Sequence, residues 1–153
     1  LVDSCFEMFQ TFFLTGLGDE ELFEKSAELR KFAYEFGSPR QLLLADALSA
    51  VIRLKYTNSS WYALPLYSDQ DRSKWTEMLA KPGAMKELWP AQHLLGEANV
   101  LRGASAVVQM PTSSGKTKAV ELLLRSTFFE RGSLAIIVAP FRALCHEIRD
   151  DLS

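Results

Sequence analysis

With 153 residues, 48% of them apolar and 24% charged, the chain has the make-up of a soluble globular protein. Its length suits one ordinary domain, or a small domain with part of another. A net charge of −2 carries none of the whole-chain basic signal expected of a nucleic-acid-binding domain, and no apolar run is long enough to span a bilayer or to serve as a secretory signal. Cys5 and Cys145 stand far apart without metal-ligand spacing, which argues against a metal site or a disulfide and fits a reducing, cytoplasmic setting.

Charge is unevenly spread. Residues 1–80 carry 8 Lys/Arg against 12 Asp/Glu, whereas residues 81–153 carry 9 against 7, so the two halves read as different units. The chain opens on Leu1 and stops at Ser153 just after an amphipathic stretch, as a piece of something larger would.

Residues 2–57 read as three helices. Val2, Phe6, Phe9 and Phe13 form a first apolar stripe ending near Gly16 and Gly18, and the phenylalanines, Phe12 included, read as core packing. Leu22, Leu29, Ala33 and Phe36 form a second stripe behind an acidic first turn, closed by Gly37. Ser38 and Pro39 supply an N-cap and a first-turn proline for the third, with Leu44, Leu48, Val51 and Leu54 as its stripe. Asn58 to Asp69 has aromatics, Pro65 and hydroxyls without a clear period and reads as an ordered connector. A further helix is expected from a Ser68 cap through Trp75 and Leu79 to Pro82-Gly83.

From residue 84 the rhythm changes. A helix near Pro90–Ala98, a strand Ser105–Met110, a loop, a helix Lys118–Glu130, a strand Leu134–Ala139 and a helix Ala143–Leu152 alternate as in α/β folds, which implies parallel pairing. Both strand candidates are apolar throughout, as strands covered on both faces are. Two strands do not make such a sheet stable alone, so its core is expected to be incomplete. The division predicted is a helical accessory region over residues 1–83 and a partial nucleotide-binding domain over residues 84–153.

The loop carries the chemistry. Met110-Pro-Thr-Ser-Ser-Gly-Lys-Thr117, leaving a strand and feeding a helix, aims backbone N–H groups and the positive end of a helix dipole at one anionic point. Lys116 supplies a mobile cation for β/γ-phosphates, the Thr117 hydroxyl suits Mg²⁺, and Gly115 permits close backbone approach. Met110 stands where the general G-x-x-x-x-G-K-[ST] pattern has its first Gly.

Two further motifs flank the loop: Leu88-Trp-Pro-Ala-Gln92 upstream and Ala139-Pro-Phe-Arg-Ala-Leu144 downstream. With the loop they make residues 88–152 resemble the first RecA-like domain of superfamily 2 helicases, the group that includes DEAD-box and DExH proteins. The loop is most similar to that of DExH helicases related to archaeal DNA-repair and exosome-associated RNA helicases, where the first Gly is also commonly replaced. The resemblance implies an α/β fold, with the helical N-terminal region followed by the start of a RecA-like P-loop parallel sheet and flanking helices. It implies that amides from Thr112, Ser113, Ser114 and Gly115 wrap the phosphates of ATP, that Lys116 contacts them, and that Thr117 binds Mg²⁺. In the same way Gln92 would read adenine, an amide matching the N6 and N7 edge. The turn at Pro140, Arg142 and Ala143 would contact the backbone of single-stranded DNA or RNA, where a helix N-terminus beside an Arg binds phosphate whatever the base sequence.

The resemblance leaves residues 1–80 unassigned and is not followed by an Asp-Glu Walker B motif or a second motor domain, so the chain alone is expected to bind ATP without turning it over. The function expected is part of an ATP-dependent nucleic-acid helicase or translocase. The alternatives are another P-loop enzyme such as a kinase, which would make the Gln92 and Pro140–Leu144 matches accidental, and a non-catalytic module whose acidic helical half binds a protein. His93 and His146 have no Cys, Asp or second His at ligand spacing and read as ordinary, partly exposed histidines.

Overall fold

The protein is described here from a computed structural model covering residues 1–111, 114–131 and 136–152, and all regular structure among those residues is helical. The expected parallel sheet is absent from them, which corrects the α/β expectation. Residues 104–110 and 136–139, most of the two strand candidates, are irregular, and Leu134 and Ala135 lie outside the described residues. The physical reason is that a strand exists through its ladder. The β pairing observed among the described residues is one isolated antiparallel bridge, Ser59 with Glu87. Nor is the covering on both faces formed: Val107, Ile136 and Val138 are almost wholly exposed.

The chain divides into two compact units. One comprises Leu1–Ala63 with Trp75–Glu87, the other Leu64–Lys74 with Leu88–Ser153.

The first unit is built on α1 (Val2–Thr15), α2 (Asp19–Phe36) and α3 (Pro39–Asn58). Helix α1 closes at Gly16, which is left-handed (φ 75°) and returns its N–H to Phe12 O at 2.7 Å. Helix α3 starts at a reciprocal cap, with Ser38 N donating to Gln41 Oε1 at 2.8 Å, Gln41 N donating to Ser38 Oγ at 3.4 Å, and Pro39 in the first turn. Replacing Ser38 by Ala should cost about 1 kcal/mol, seen as a lower urea midpoint at unchanged slope.

Helix α2 buries Leu22, Leu29 and Ala33 of its expected stripe, whereas the buried faces of α1 and α3 differ from the expected ones. Leu22, Ser26, Leu29 and Ala33 of α2 and Ala45, Ser49 and Ile52 of α3 are buried, and Ser26 Oγ hydrogen-bonds Ser49 Oγ at 2.7 Å between the two helices. Helices that approach through Ala and Ser turn larger neighbours outward, and Leu44, Val51, Leu54 and Phe36 are exposed. On α1 the buried residues are Cys5 and Phe12, while Val2 and Phe6 are exposed. Burial pushes the Cys5 thiol above its ordinary pKa. Phe12, Phe23 and Tyr62 surround Tyr56 with ring centroids 4.7 to 5.2 Å away. An apolar groove of about 800 Å³ lies among Val2, Phe32, Phe36, Leu44 and Leu48.

Asn58–Asp69, expected as a connector, contains a helix, α4 (Ser60–Ser68), with Pro65 inside it. Ser68 ends this helix, its Oγ bonding Leu64 O at 2.6 Å, and so does not cap the next. That next helix, α5 (Arg72–Ala80), is capped by Asp71, whose Oδ1 accepts from Ser73 N at 2.9 Å; these bonds hold the Asp71 carboxyl below the usual carboxylate range. Trp75, Met78 and Leu79 bury the α5 face. Trp61 is buried against Gly16, donates from Nε1 to Phe13 O at 3.2 Å and lies under Lys86, whose Nζ is 5.3 Å from the ring centroid. Lys86 donates to Leu79 O and to Leu14 O, and its burial lowers its pKa.

The second unit holds α6 (Pro90–Glu97), a 3₁₀ turn (Val100–Arg102), α7 (Lys116–Arg131) and α8 (Arg142–Leu152), together with the C-terminal end of α4 and the start of α5. Ser126 Oγ bonds Leu101 O at 2.5 Å and Lys74 Nζ bonds Phe129 O at 3.2 Å, which fixes the C-terminal half of α7.

Candidate nucleotide-binding site

Helix α6 begins at Trp89, extended at φ −81° and ψ 159°, with Pro90 in the first turn. Gln92, three residues on, turns its Oε1 back to accept Trp89 N–H at 2.7 Å, the reciprocal half of a capping box. This draws the amide inward, and Gln92 is 1% exposed. Its Nε2 is buried and has no hydrogen-bond partner among the described residues. Such a donor is costly unless something accepts from it.

What Nε2 faces is the loop. Gly115 is left-handed (φ +77°), and a Cβ there would lie 3.0 Å from Gln92 Nε2 and 3.5 Å from the Trp89 ring. A side chain at this position would be strained by its backbone and crowded by the amide. Gln92, Trp89 and Gly115 are therefore neighbours although 23 residues separate the amide from the glycine. Ahead of Gly115, Ser114 folds back on Pro111 O through Oγ at 2.6 Å and N at 3.3 Å.

Helix α7 starts at Lys116, and its hydrogen bonding opens with Ala119 N to Gly115 O at 2.9 Å. The amides of the first turn lack intrahelical acceptors and add the helix dipole, so an anion is favoured there. Lys116 is exposed and Thr117 half-buried. Lys118 is paired with Glu121 at 3.0 Å, and Arg125 closes on the same carboxylate at 3.0 Å, so these charges answer one another along α7. Thr112 and Ser113 lie outside the described residues. Pro140, Arg142 and Ala143 are exposed, with Arg142 opening α8.

Among the described residues no group of His, Cys, Asp and Glu could hold a metal ion by itself, and no helix is long and apolar enough to cross a membrane. The sequence suggests Tyr67 only as packing within the connector, with Trp61 and Tyr62, and gives Arg102 no role. Tyr67 OH lies 3.0 Å from His93 Nδ1, and Arg102 donates to Leu66 O at 2.9 Å and to Tyr67 O at 3.3 Å. Tyr67 falls in the aperiodic aromatic stretch, where no pattern marks it.

Residues 91–153 match the DEAD/DEAH box helicase family. The match covers 63 of the chain's 153 residues. The chain is 34% identical over 71 residues to the ATP-dependent DNA helicase Hel308 of Pyrococcus horikoshii and 35% identical over 71 residues to that of Pyrococcus abyssi, in each case over 46% of this chain and 10% of the relative. It is also 32% identical over 99 residues to the Hachiman protein HamB of Bacillus cereus, covering 62% of this chain and 9% of that protein. The chain thus spans about a tenth of the length of these relatives. The HamB likeness is longer than the helicase segment can hold, so it reaches into the helical residues before 91. No solved structure matches the chain.

Proposed function

We propose that this chain contributes the ATP phosphate-binding loop and a nucleic-acid backbone contact to an ATP-dependent helicase or translocase. The observation that carries the reading is the buried, unpartnered Gln92 Nε2 facing Gly115 at the start of α7, inside the segment that matches the helicase family. The residues fit a nucleotide. The first-turn amides of α7 and the exposed Lys116 would hold phosphate, and Thr117 would take Mg²⁺, which neutralises charge on the transferred phosphoryl group. The Gln92 amide keeps Nε2 as donor and a second lone pair on Oε1, enough for an adenine edge. Amides of Thr112, Ser113, Ser114 and Gly115 would complete the cradle.

Arg142, with Pro140 and Ala143 at the start of α8, would meet the phosphates of single-stranded DNA or RNA without reading sequence. We assign residues 84–153 to the ATP-binding part and residues 1–83 to an accessory helical part. The apolar groove of the first unit supports a protein-contacting role for the accessory part. A cytoplasmic setting suits these partners. Lys116 and Thr117 supply no carboxylate to orient water, so turnover belongs to the intact protein.

ATP hydrolysis by the intact protein, measured with and without single-stranded nucleic acid, tests the reading. Stimulation is expected, and its absence would sink the proposal. Arg142→Ala should raise the half-saturating nucleic-acid concentration and reduce the salt slope of binding by about 1, with hydrolysis in the absence of nucleic acid unchanged.

A further inference from the structure

We propose that Tyr67 is a positioning residue for the nucleotide site, acting from a helix that precedes the helicase segment; this rests on the ATP-binding reading above. Tyr67 engages α6 at two points one turn apart. Its hydroxyl lies 3.0 Å from His93 Nδ1, and its ring packs so closely on Gly96 that no Cβ fits there. Positions three apart share one helix face, so the two contacts together set the rotation and axial position of α6.

Gln92 is the residue next to His93, and its Nε2 stands 3.0 Å from where a Cβ on Gly115 would be. A turn or slide of α6 therefore moves this amide against the phosphate loop directly. Tyr67 is itself held: Arg102 donates to the carbonyls of Leu66 and Tyr67, the end of α4, and Ser68 Oγ bonds Leu64 O one turn back. The same stretch reaches α7 through Lys74, which bonds Phe129 O. Leu64–Lys74 thus belongs to the compact unit that carries the loop, although it lies outside the residues matching the helicase family. The likeness to HamB covers 62% of the chain, and a continuous stretch of that length includes residues 64–74 wherever it is placed. Tyr67 acts by holding Gln92 where its donor meets an adenine edge.

The test is equilibrium binding of ATP and of GTP, each with Mg²⁺, to the intact protein. Tyr67→Phe keeps the ring on Gly96 and removes the hydroxyl. It should weaken ATP binding about three- to tenfold, the value of one hydrogen bond, and leave GTP binding unchanged. His93→Asn, whose amide nitrogen can stand near the Nδ1 position, should retain most ATP affinity, and His93→Leu should lose it as Tyr67→Phe does. In a Gln92→Ala background Tyr67→Phe should have no further effect, since the two act as one unit. Unchanged ATP affinity in Tyr67→Phe, equal losses for ATP and GTP, or additive effects with Gln92→Ala would each overturn the positioning role while leaving the nucleotide site standing. If the wild-type protein binds neither nucleotide, the site itself is refuted and the positioning role with it.

Discussion

Lys116→Ala in the intact protein should lower nucleic-acid-stimulated ATP hydrolysis by about a hundredfold or more. Phosphoryl transfer leaves the protein little to do beyond positioning and charge, so a cation removed from the phosphates is felt in the transition state more than in binding. Lys116 is the first residue of α7 and exposed, whereas the next cation, Lys118, is already paired with Glu121. Folding should be unaffected, because an exposed first-turn lysine contributes little to the helix. The check is steady-state hydrolysis with saturating single-stranded nucleic acid, beside a melting curve. A variant hydrolysing ATP within a few-fold of wild type would show that phosphate is held elsewhere.

Trp61→Ala should destabilise the first unit by about 3–5 kcal/mol, a large share of the stability of a small unit. The side chain is 3% exposed and joins three elements: its Nε1 bonds Phe13 O near the end of α1, its ring covers Gly16, and Lys86 Nζ lies over its face. Truncation leaves a cavity, frees the Phe13 carbonyl and removes the aromatic partner of a partly buried cation. Trp61→Phe keeps much of the volume and should cost clearly less. Urea unfolding at matched slope measures both, and a loss under 1 kcal/mol for the alanine variant would contradict the packing described.

Much of this was legible in the chain because punctuation is local. Gly16, Gly37 and the Ser38-Pro39 cap mark helix ends that the structure shows, and helices were expected close to where α6, α7 and α8 stand. Which face each helix buries was not legible on α1 or α3. A hydrophobic stripe rewards large side chains, but α2 and α3 bury the small residues Ser26, Ala33, Ala45 and Ser49, with Ser26 bonded to Ser49, and leave Leu44 and Val51 exposed. Ser68 was misassigned because a serine before a helix competes with every other cap nearby, and Asp71 stands closer to the first turn. The sheet failed for a different reason. Apolar runs such as residues 105–110 are compatible with a strand, but only a partner makes one, and periodicity says nothing about partners.

At the site, residue types suited to phosphate chemistry are what single out the loop in the sequence. The closeness of Trp89 and Gln92 to Gly115 needed the fold, and the tie between Tyr67 and His93 had no sequence signal at all.

The most direct measurement is calorimetric titration of Mg·ATP into the intact protein, wild type and Gly115→Val side by side. A valine cannot take up φ +77° without strain and would press on Gln92 Nε2 and the Trp89 ring, so wild type should bind one ATP and the variant should bind at least about tenfold more weakly. Equal binding by both proteins, or none by wild type, would contradict the placement of ATP at this loop.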